Sequence, residues 1–263
     1  MSGLVRWAAG GWRGRVAAEA TACAAELVHL TDEDGGRRSR HARTRARDTA
    51  IGRVFVKVYP TPAGWRARRA YRMGEVLSRC GFPAPEPLLC ATRGREGILV
   101  TRDAAGEPLA SIATLPRARK WTWLRRLGAS IGALHDLGFV HGDLVPANIL
   151  VRGDGFVWLD NDRTRRGHVL AWWGGWRNLV QLGRFVVPGI STADRMRVLC
   201  AYAHARGCRR TTRKRLARWL AHKTIARRCR IEDLDPVAVA RAGFREAMRS
   251  GGPFDRAHGR SPA

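Results

Sequence analysis

His141-Gly142-Asp143-Leu144-Val145-Pro146-Ala147-Asn148-Ile149-Leu150 decides the reading of this chain, together with Asp160-Asn161-Asp162, which begins twelve residues after Asn148. Asp143 falls in a loop after a helical pattern, and Asn148, five residues on, opens a strand. Ile149-Leu150-Val151 and Phe156-Val157-Trp158-Leu159 are apolar runs joined by Arg152-Gly153-Asp154-Gly155. Asp-Gly between two such runs is a strong hairpin cue. A hairpin here returns the chain so that Asp160 ends beside Asn148. Three oxygen-bearing side chains at one hairpin mouth suit a hard cation such as Mg²⁺. A carboxylate near that cation, but free to accept a proton, can orient an attacking hydroxyl.

Outward from this stretch, the pattern is strand-rich before it and helical after it. Glu26 to Leu30 reads as a short strand, followed by an acidic-glycine turn from Thr31 to Gly36 and an Arg-rich stretch. Arg53-Val54-Phe55-Val56-Lys57-Val58-Tyr59 is β-branched and bounded by Pro60 and Pro62. Gly64 to Cys80 is helical in pattern and stops at Gly81, with Pro83 and Pro85 beyond. Leu88-Leu89 and Ile98-Leu99-Val100, separated by a Gly- and Arg-rich link, form a second hairpin signal. Trp121, Leu124, Leu127, Ile131 and Leu134 recur every three to four residues, a helix ending at Gly138. From Trp172 onward the pattern is helical, with breaks at Pro188-Gly189 and near Pro236.

The 263 residues are enough for one large domain or two unequal lobes with a real core. Apolar residues at 45% argue against wholesale disorder in spite of the charge. No run of eighteen residues is free of charge, so a membrane-spanning helix is not expected. Arg6, Arg13 and Arg15 interrupt the alanine-rich start, so no secretory signal is expected, and the chain reads as cytoplasmic. The six cysteines are scattered with no C-x-x-C, which argues against a zinc site or disulfide framework.

Forty-eight Lys and Arg against 22 Asp and Glu leave a net charge of +26 and point to an anionic partner. The charge is uneven: Gly36 to Arg47 holds six arginines, and Arg206 to Arg230 holds eleven Lys or Arg with no acid. Leu216, Trp219, Leu220 and Ile225 space the second block as an amphipathic helix with a basic outer face. That face is either solvated or a docking surface for an anionic acceptor or membrane. No nucleic-acid-binding module is visible.

HGDLVPANIL followed by WLDND resembles the catalytic loop, H-x-D-x-x-x-x-N, and the metal-binding Asp of the protein-kinase-like fold. Lys57 in VFVKVY is similar to the lysine strand of that fold's small lobe, and Leu99 to Asp103 falls where the hinge should. The resemblance covers roughly residues 26 to 205. Further details resemble the lipopolysaccharide kinase (Kdo/WaaP) family, which phosphorylates inner-core sugars of lipid A conjugates. They are the Gly81-Phe82-Pro83-Ala84-Pro85-Glu86-Pro87 turn, the Asp160-x-Asp162-Arg163 run, Arg177-Asn178-Leu179-Val180-Gln181-Leu182-Gly183-Arg184, and the helix from Arg197 to Tyr202.

The resemblance implies an α+β, protein-kinase-like two-lobe fold with a small β-rich N-lobe and a larger, mostly helical C-lobe. It places an N-terminal extension at 1–25, the N-lobe at 26–103 and the C-lobe at 104–263, the last with basic C-terminal helices. It implies an ATP-dependent phosphotransferase with an alcohol acceptor, a sugar hydroxyl of the lipopolysaccharide inner core (Kdo or heptose). Asp143 would be the catalytic base, Asn148 and Asp160 the Mg²⁺ ligands, and Lys57 the contact to the α- and β-phosphates of ATP. His141 is expected to brace the loop. Asp162 is expected to pair with Arg163 or another arginine. The basic helix and Trp172, Trp173 and Trp176 would serve an anionic acceptor at the cytosolic face of the inner membrane, or the tryptophans simply pack the large lobe.

Two features depart from the kinase pattern. No G-x-G-x-x-G precedes Lys57, and guanidinium groups of the Arg-rich stretch are expected to hold phosphates instead. The acid that should pair with Lys57 falls near Ala70, yet the helix's only acid is Glu75, about 140° around the helix. Glu75 therefore faces elsewhere unless the register differs. Two other readings stay open: a kinase of an aminoglycoside-like small molecule or a protein, and an inactive kinase fold that binds anions.

Overall fold

The computed structural model describes residues 4–29, 37–38 and 42–232. From the N-terminus the elements are strands β1 (Leu4–Ala9) and β2 (Trp12–Ala17), helix α1 (Ala24–His29), and strands β3 (Arg37–Arg38), β4 (Arg43–Thr49) and β5 (Gly52–Tyr59). Helix α2 (Trp65–Arg79) and strands β6 (Pro87–Arg93), β7 (Glu96–Arg102) and β8 (Glu107–Pro108) follow. Then come α3 (Arg117–Asp136), β9 (Phe139–Val140), β10 (Ile149–Arg152), β11 (Gly155–Trp158) and β12 (Arg165–Arg166). Three further helices are α4 (His168–Gly183), α5 (Thr192–Ala205) and α6 (Arg210–Glu232). The chain divides into two compact units, one of residues 1–106 with 152–164, the other of residues 107–151 with 165–263.

The first unit is built on a seven-stranded antiparallel sheet in the order β1-β2-β6-β7-β5-β4-β3. Strand β5 shows how sequence sets its two faces. Val54, Val56 and Val58 point one way and are buried, and Phe55, Lys57 and Tyr59 point the other. Burying each valine is worth about 1.5–3 kcal/mol, so a one-residue slip of register is strongly disfavoured. The valine face packs with Trp12, Val16, Leu27 and Val28. On the opposite face, Tyr59, Cys90 and Leu99 pack with Ala67, Ala70 and Tyr71 of α2. Lys57 therefore stands on the α2 side of the sheet.

Helix α2 stops where the sequence turns to Gly-Phe-Pro. Gly81 takes the left-handed conformation at φ 82°, and the Phe82 N–H donates to the Leu77 carbonyl at 2.9 Å. Pro83 then accepts from the Trp158 N–H at 2.8 Å, and Phe82 meets the Trp158 ring edge-on at 6.3 Å. The turn thus anchors β11 just before Asp160.

In the second unit, α3 lies close against α5 because its facing residues are glycines. A Cβ at Gly128 would come within 2.1 Å of the Val198 carbonyl oxygen, and one at Gly132 within 2.7 Å of the Ala205 Cβ. Leu124, Leu127, Ile131 and Leu134 bury the rest of that helix face. β10 pairs antiparallel with β8, Leu150 opposite Pro108 and Val151 opposite Glu107. Helix α6 buries Leu216, Thr224 and Cys229 and sets Trp219 against Trp176 with ring centroids 5.5 Å apart. Arg210, Lys214, Arg218 and His222, four residues apart, are exposed along its first three turns.

Several expectations need correction. Glu26 to His29 is helix and not strand: Ala24, Leu27 and Val28 are buried at the i, i+3, i+4 spacing of one helical face. Residues 4–20 are no separate extension, since β2 pairs with β6 from Arg13 opposite Thr92 to Val16 opposite Leu89. Arg43–Thr49, the end of the Arg-rich stretch, forms β4, because β5 supplies a backbone ladder that does not depend on side-chain type. The helix expected from Trp172 begins at His168. The Thr31–Gly36 turn, the break near Pro236 and the side chains of Trp172 and Trp173 lie outside the described residues.

Candidate active site

In the second unit, the loop from His141 to Asn148 is held from below by α4. The Asn178 side-chain oxygen accepts from the His141 N–H at 3.0 Å, and its amide donates to the His141 carbonyl. Gln181, one turn on, donates to the Gly142 carbonyl at 3.3 Å and accepts from the Leu144 N–H at 3.4 Å. Two amide side chains at i and i+3 thus occupy backbone groups on either side of Asp143. His141 is fully buried, and its Nδ1 accepts from the Asp143 N–H at 3.3 Å, so it braces the loop as expected. The Asn148 amide donates to the Asp143 carbonyl at 2.9 Å, which draws the two candidate residues together and leaves the Asp143 carboxylate half-exposed.

Beneath the loop, His135 Nε2 lies 3.2 Å from the Asn178 oxygen and Nδ1 lies 3.1 Å from the Tyr202 hydroxyl. With the Asn178 oxygen accepting, the network assigns the proton to Nε2 and makes Tyr202 a donor to Nδ1. Burial pushes this imidazole down to about 4, against the opposing pull of the Asn178 hydrogen bond. It is therefore a neutral strut under the loop.

In the first unit, Lys57 of β5 forms an ion pair with Asp160. Asp160 sits in the left-handed region (φ 55°, ψ 57°) and opens a single 3-10 turn, Asn161–Arg163. Asp tolerates that conformation better than most residues, and such positions cluster at functional sites. The turn is fixed from inside by Asn161, whose amide donates to the Trp158 carbonyl at 2.8 Å, and from α2 by Arg69, which donates to the Thr164 carbonyl at 3.1 Å. Asp162 Oδ2 lies 3.8 Å from Lys57 Nζ and 3.6 Å from Arg66 Nη1. Burial pushes the Asp162 carboxyl above its usual range, while Lys57 pulls it down and Asp160 pushes it up. Lys57 Nζ also stands 5.2 Å from the centroid of the Tyr59 ring. The buried Tyr59 hydroxyl has no hydrogen-bond partner, and burial, with both carboxylates nearby, raises its pKa well above the ordinary value.

The structure thus joins Lys57 to Asp160 and Asp143 to Asn148. Glu75 faces Arg79 at 3.8 Å, one turn along α2. Asp162 pairs with Arg66, within the expectation of Arg163 or another arginine, and also with Lys57. Sequence reasoning missed Asn178 and Gln181 as supports of the loop, although their run had been singled out. Their i, i+3 spacing is the signal that could have found them.

Oxygen donors such as Asp160 and Asn148 suit a hard cation and not a soft one. Among the described residues no cluster of three or more His, Cys, Asp or Glu would hold a metal by itself.

A strand lysine paired to an aspartate after a hairpin, and a separate H-x-D-x-x-x-x-N loop, define a protein-kinase-like phosphotransferase acting on hydroxyl groups. The chain belongs to the lipopolysaccharide kinase (Kdo/WaaP) family, whose model matches residues 33–202. Its fold is similar to that of an aminoglycoside-3'-phosphotransferase of type VIII, with a TM-score of 0.51 and 18% identity over 76% of this chain and 98% of that one. Among curated proteins it is 30% identical over 97 residues to the KEOPS complex subunit Bud32 of Pyrococcus abyssi, covering 36% of this chain and 44% of the relative. It is 28% identical over 96 residues, 36% of this chain and 17% of the relative, to a probable bifunctional tRNA threonylcarbamoyladenosine biosynthesis protein of Methanothermobacter thermautotrophicus. The chain spans less than half the length of the curated relatives it matches. No helix among the described residues is long and apolar enough to cross a membrane.

Proposed function

We propose that this chain transfers the γ-phosphoryl group of ATP to a sugar hydroxyl of the lipopolysaccharide inner core. The observation that carries the reading is the family match over residues 33–202, which contain the Asp143–Asn148 loop and the Lys57–Asp160 pair. Asp143 accepts a hydrogen bond from the acceptor hydroxyl and aims its oxygen at the phosphorus. Asn148, tied to the Asp143 carbonyl, keeps that carboxylate in place. Lys57 neutralises the α- and β-phosphates. Asp160 and Asn148 would hold Mg²⁺, which supplies charge neutralisation on the phosphates when bound. The exposed cations of α6 would draw an anionic acceptor at the cytosolic face of the inner membrane.

The test is transfer of labelled phosphate from ATP to lipopolysaccharide that lacks core phosphate. Labelled lipopolysaccharide, lost in Asp143→Ala, supports the reading; phosphate released only to water sinks it. The similarity to Bud32 favours a second reading, a kinase of another acceptor such as a protein or small molecule. Running the same assay with an aminoglycoside and a protein acceptor separates the two. An inactive anion-binding module predicts no transfer to any of them.

A further inference from the structure

Protein kinases steady the strand lysine with a glutamate from the following helix, and α2 provides none here. Its only acid, Glu75, faces Arg79. The α2 side chain that reaches the lysine's neighbourhood is a cation, Arg66, and the acid opposite it is Asp162. One carboxylate oxygen, Asp162 Oδ2, serves both Arg66 at 3.6 Å and Lys57 at 3.8 Å. The three side chains are only 16%, 18% and 8% exposed for Arg66, Lys57 and Asp162, so water screens them little. Asp160 is more open, at 35%, and in the proposed reaction it is committed to the metal. Asp162 is then the carboxylate left within reach of Lys57.

We propose that Asp162, anchored by Arg66, is the positioning residue for Lys57 and replaces the helix glutamate of other kinases. The inference rests on the kinase reading above. Helix α2 presents a base, Arg66, to this neighbourhood, and the acid comes from the 3-10 turn after β11. Arg66 pairs with the carboxylate, the carboxylate with the lysine, and the Tyr59 ring stands 5.2 Å from the lysine nitrogen. The chain therefore holds the lysine in place without any acid at Ala70, which packs with Tyr59 one helical turn beyond Arg66.

Two readouts test this on the full chain: steady-state kinetics, and acylation of the four lysine amines followed by mass spectrometry, with Lys214 and Lys223 as exposed controls. Asp162→Asn is expected to raise KM for ATP about tenfold or more while KM for the acceptor stays unchanged. It is also expected to raise labelling of Lys57 alone. Arg66→Gln should shift both readouts the same way by less. Adding Ala70→Glu to Asp162→Asn should restore both by returning an acid to the helix. Wild-type KM for ATP and wild-type Lys57 labelling in Asp162→Asn would overturn the proposal. If Asp162→Asn does not fold, Arg66→Gln decides by the same criteria. Should the wild-type chain transfer no phosphate, the kinase reading fails, and Lys57 labelling alone decides the positioning role.

Discussion

Asn178 closes a two-way amide contact on His141, accepting from its N–H and donating to its carbonyl, and so fixes the loop two residues before Asp143. Both His141 groups are buried. Without a partner each costs about 1–3 kcal/mol. Asn178→Ala is therefore expected to cost about 2–6 kcal/mol of stability, read by urea unfolding. Turnover should fall by more than the loss of folded protein accounts for, because the Asp143 loop loses its support. Wild-type turnover per folded molecule would show that the contact serves stability alone.

Asp143→Ala and Asp160→Ala are each expected to abolish phosphoryl transfer, the first by removing the proposed hydroxyl-positioning group and the second by removing the proposed metal ligand. Titration calorimetry should separate them. Asp160→Ala weakens Mg²⁺-dependent nucleotide binding, and Asp143→Ala leaves it nearly intact. Wild-type turnover in both variants would be incompatible with the assignment.

His135 makes stability depend on pH. Its folded pKa is lowered to about 4 by burial, whereas the unfolded imidazole titrates near the ordinary value of 6.5. Between those values the unfolded chain binds a proton that the folded chain refuses. Stability is therefore full above about pH 6.5 and falls as pH drops toward 4, by about 2 kcal/mol between pH 7 and pH 5 from this group. Urea midpoints at the two pH values should show the drop, and His135→Gln should flatten it. An equal slope in both proteins would remove His135 as the cause.

Gly128→Ala tests the α3–α5 contact. The added methyl would sit 2.1 Å from the Val198 carbonyl oxygen, a distance that forces backbone to move. A loss of about 1–3 kcal/mol in thermal unfolding is expected. An unchanged midpoint would mean that the helices separate without penalty.

The cations of α6 are testable as an acceptor surface. Changing Arg213, Lys214, Arg218 and Arg227 together to Gln is expected to raise KM for a lipid-linked acceptor and flatten its salt dependence. KM for ATP should stay nearly constant. Each cation near an acidic surface contributes about 1 kcal/mol, screened over roughly 8 Å at physiological salt. Wild-type acceptor KM at low salt would mark the face as merely solvated.

What the sequence alone determined are features whose cause is local. The valine alternation of β5, the Gly81 stop of α2 and the three-to-four spacing of α3 each follow from backbone geometry within one element. The Asp143-to-Asn148 spacing is likewise short-range, since one residue's amide reaches the other's carbonyl within a single loop. Tertiary structure decided the rest. Glu26 to His29 is helical because the valine face of a sheet built from distant strands needed a helical stripe to cover it. Arg43–Thr49 is a strand because β5 lay beside it, against its own composition. Asp162 and Lys57 are 105 residues apart in sequence yet 3.8 Å apart in space, and Arg66 comes to them from a third segment. Which acid serves a buried lysine depends on which carboxylate the fold carries there, and no spacing along the chain encodes that distance.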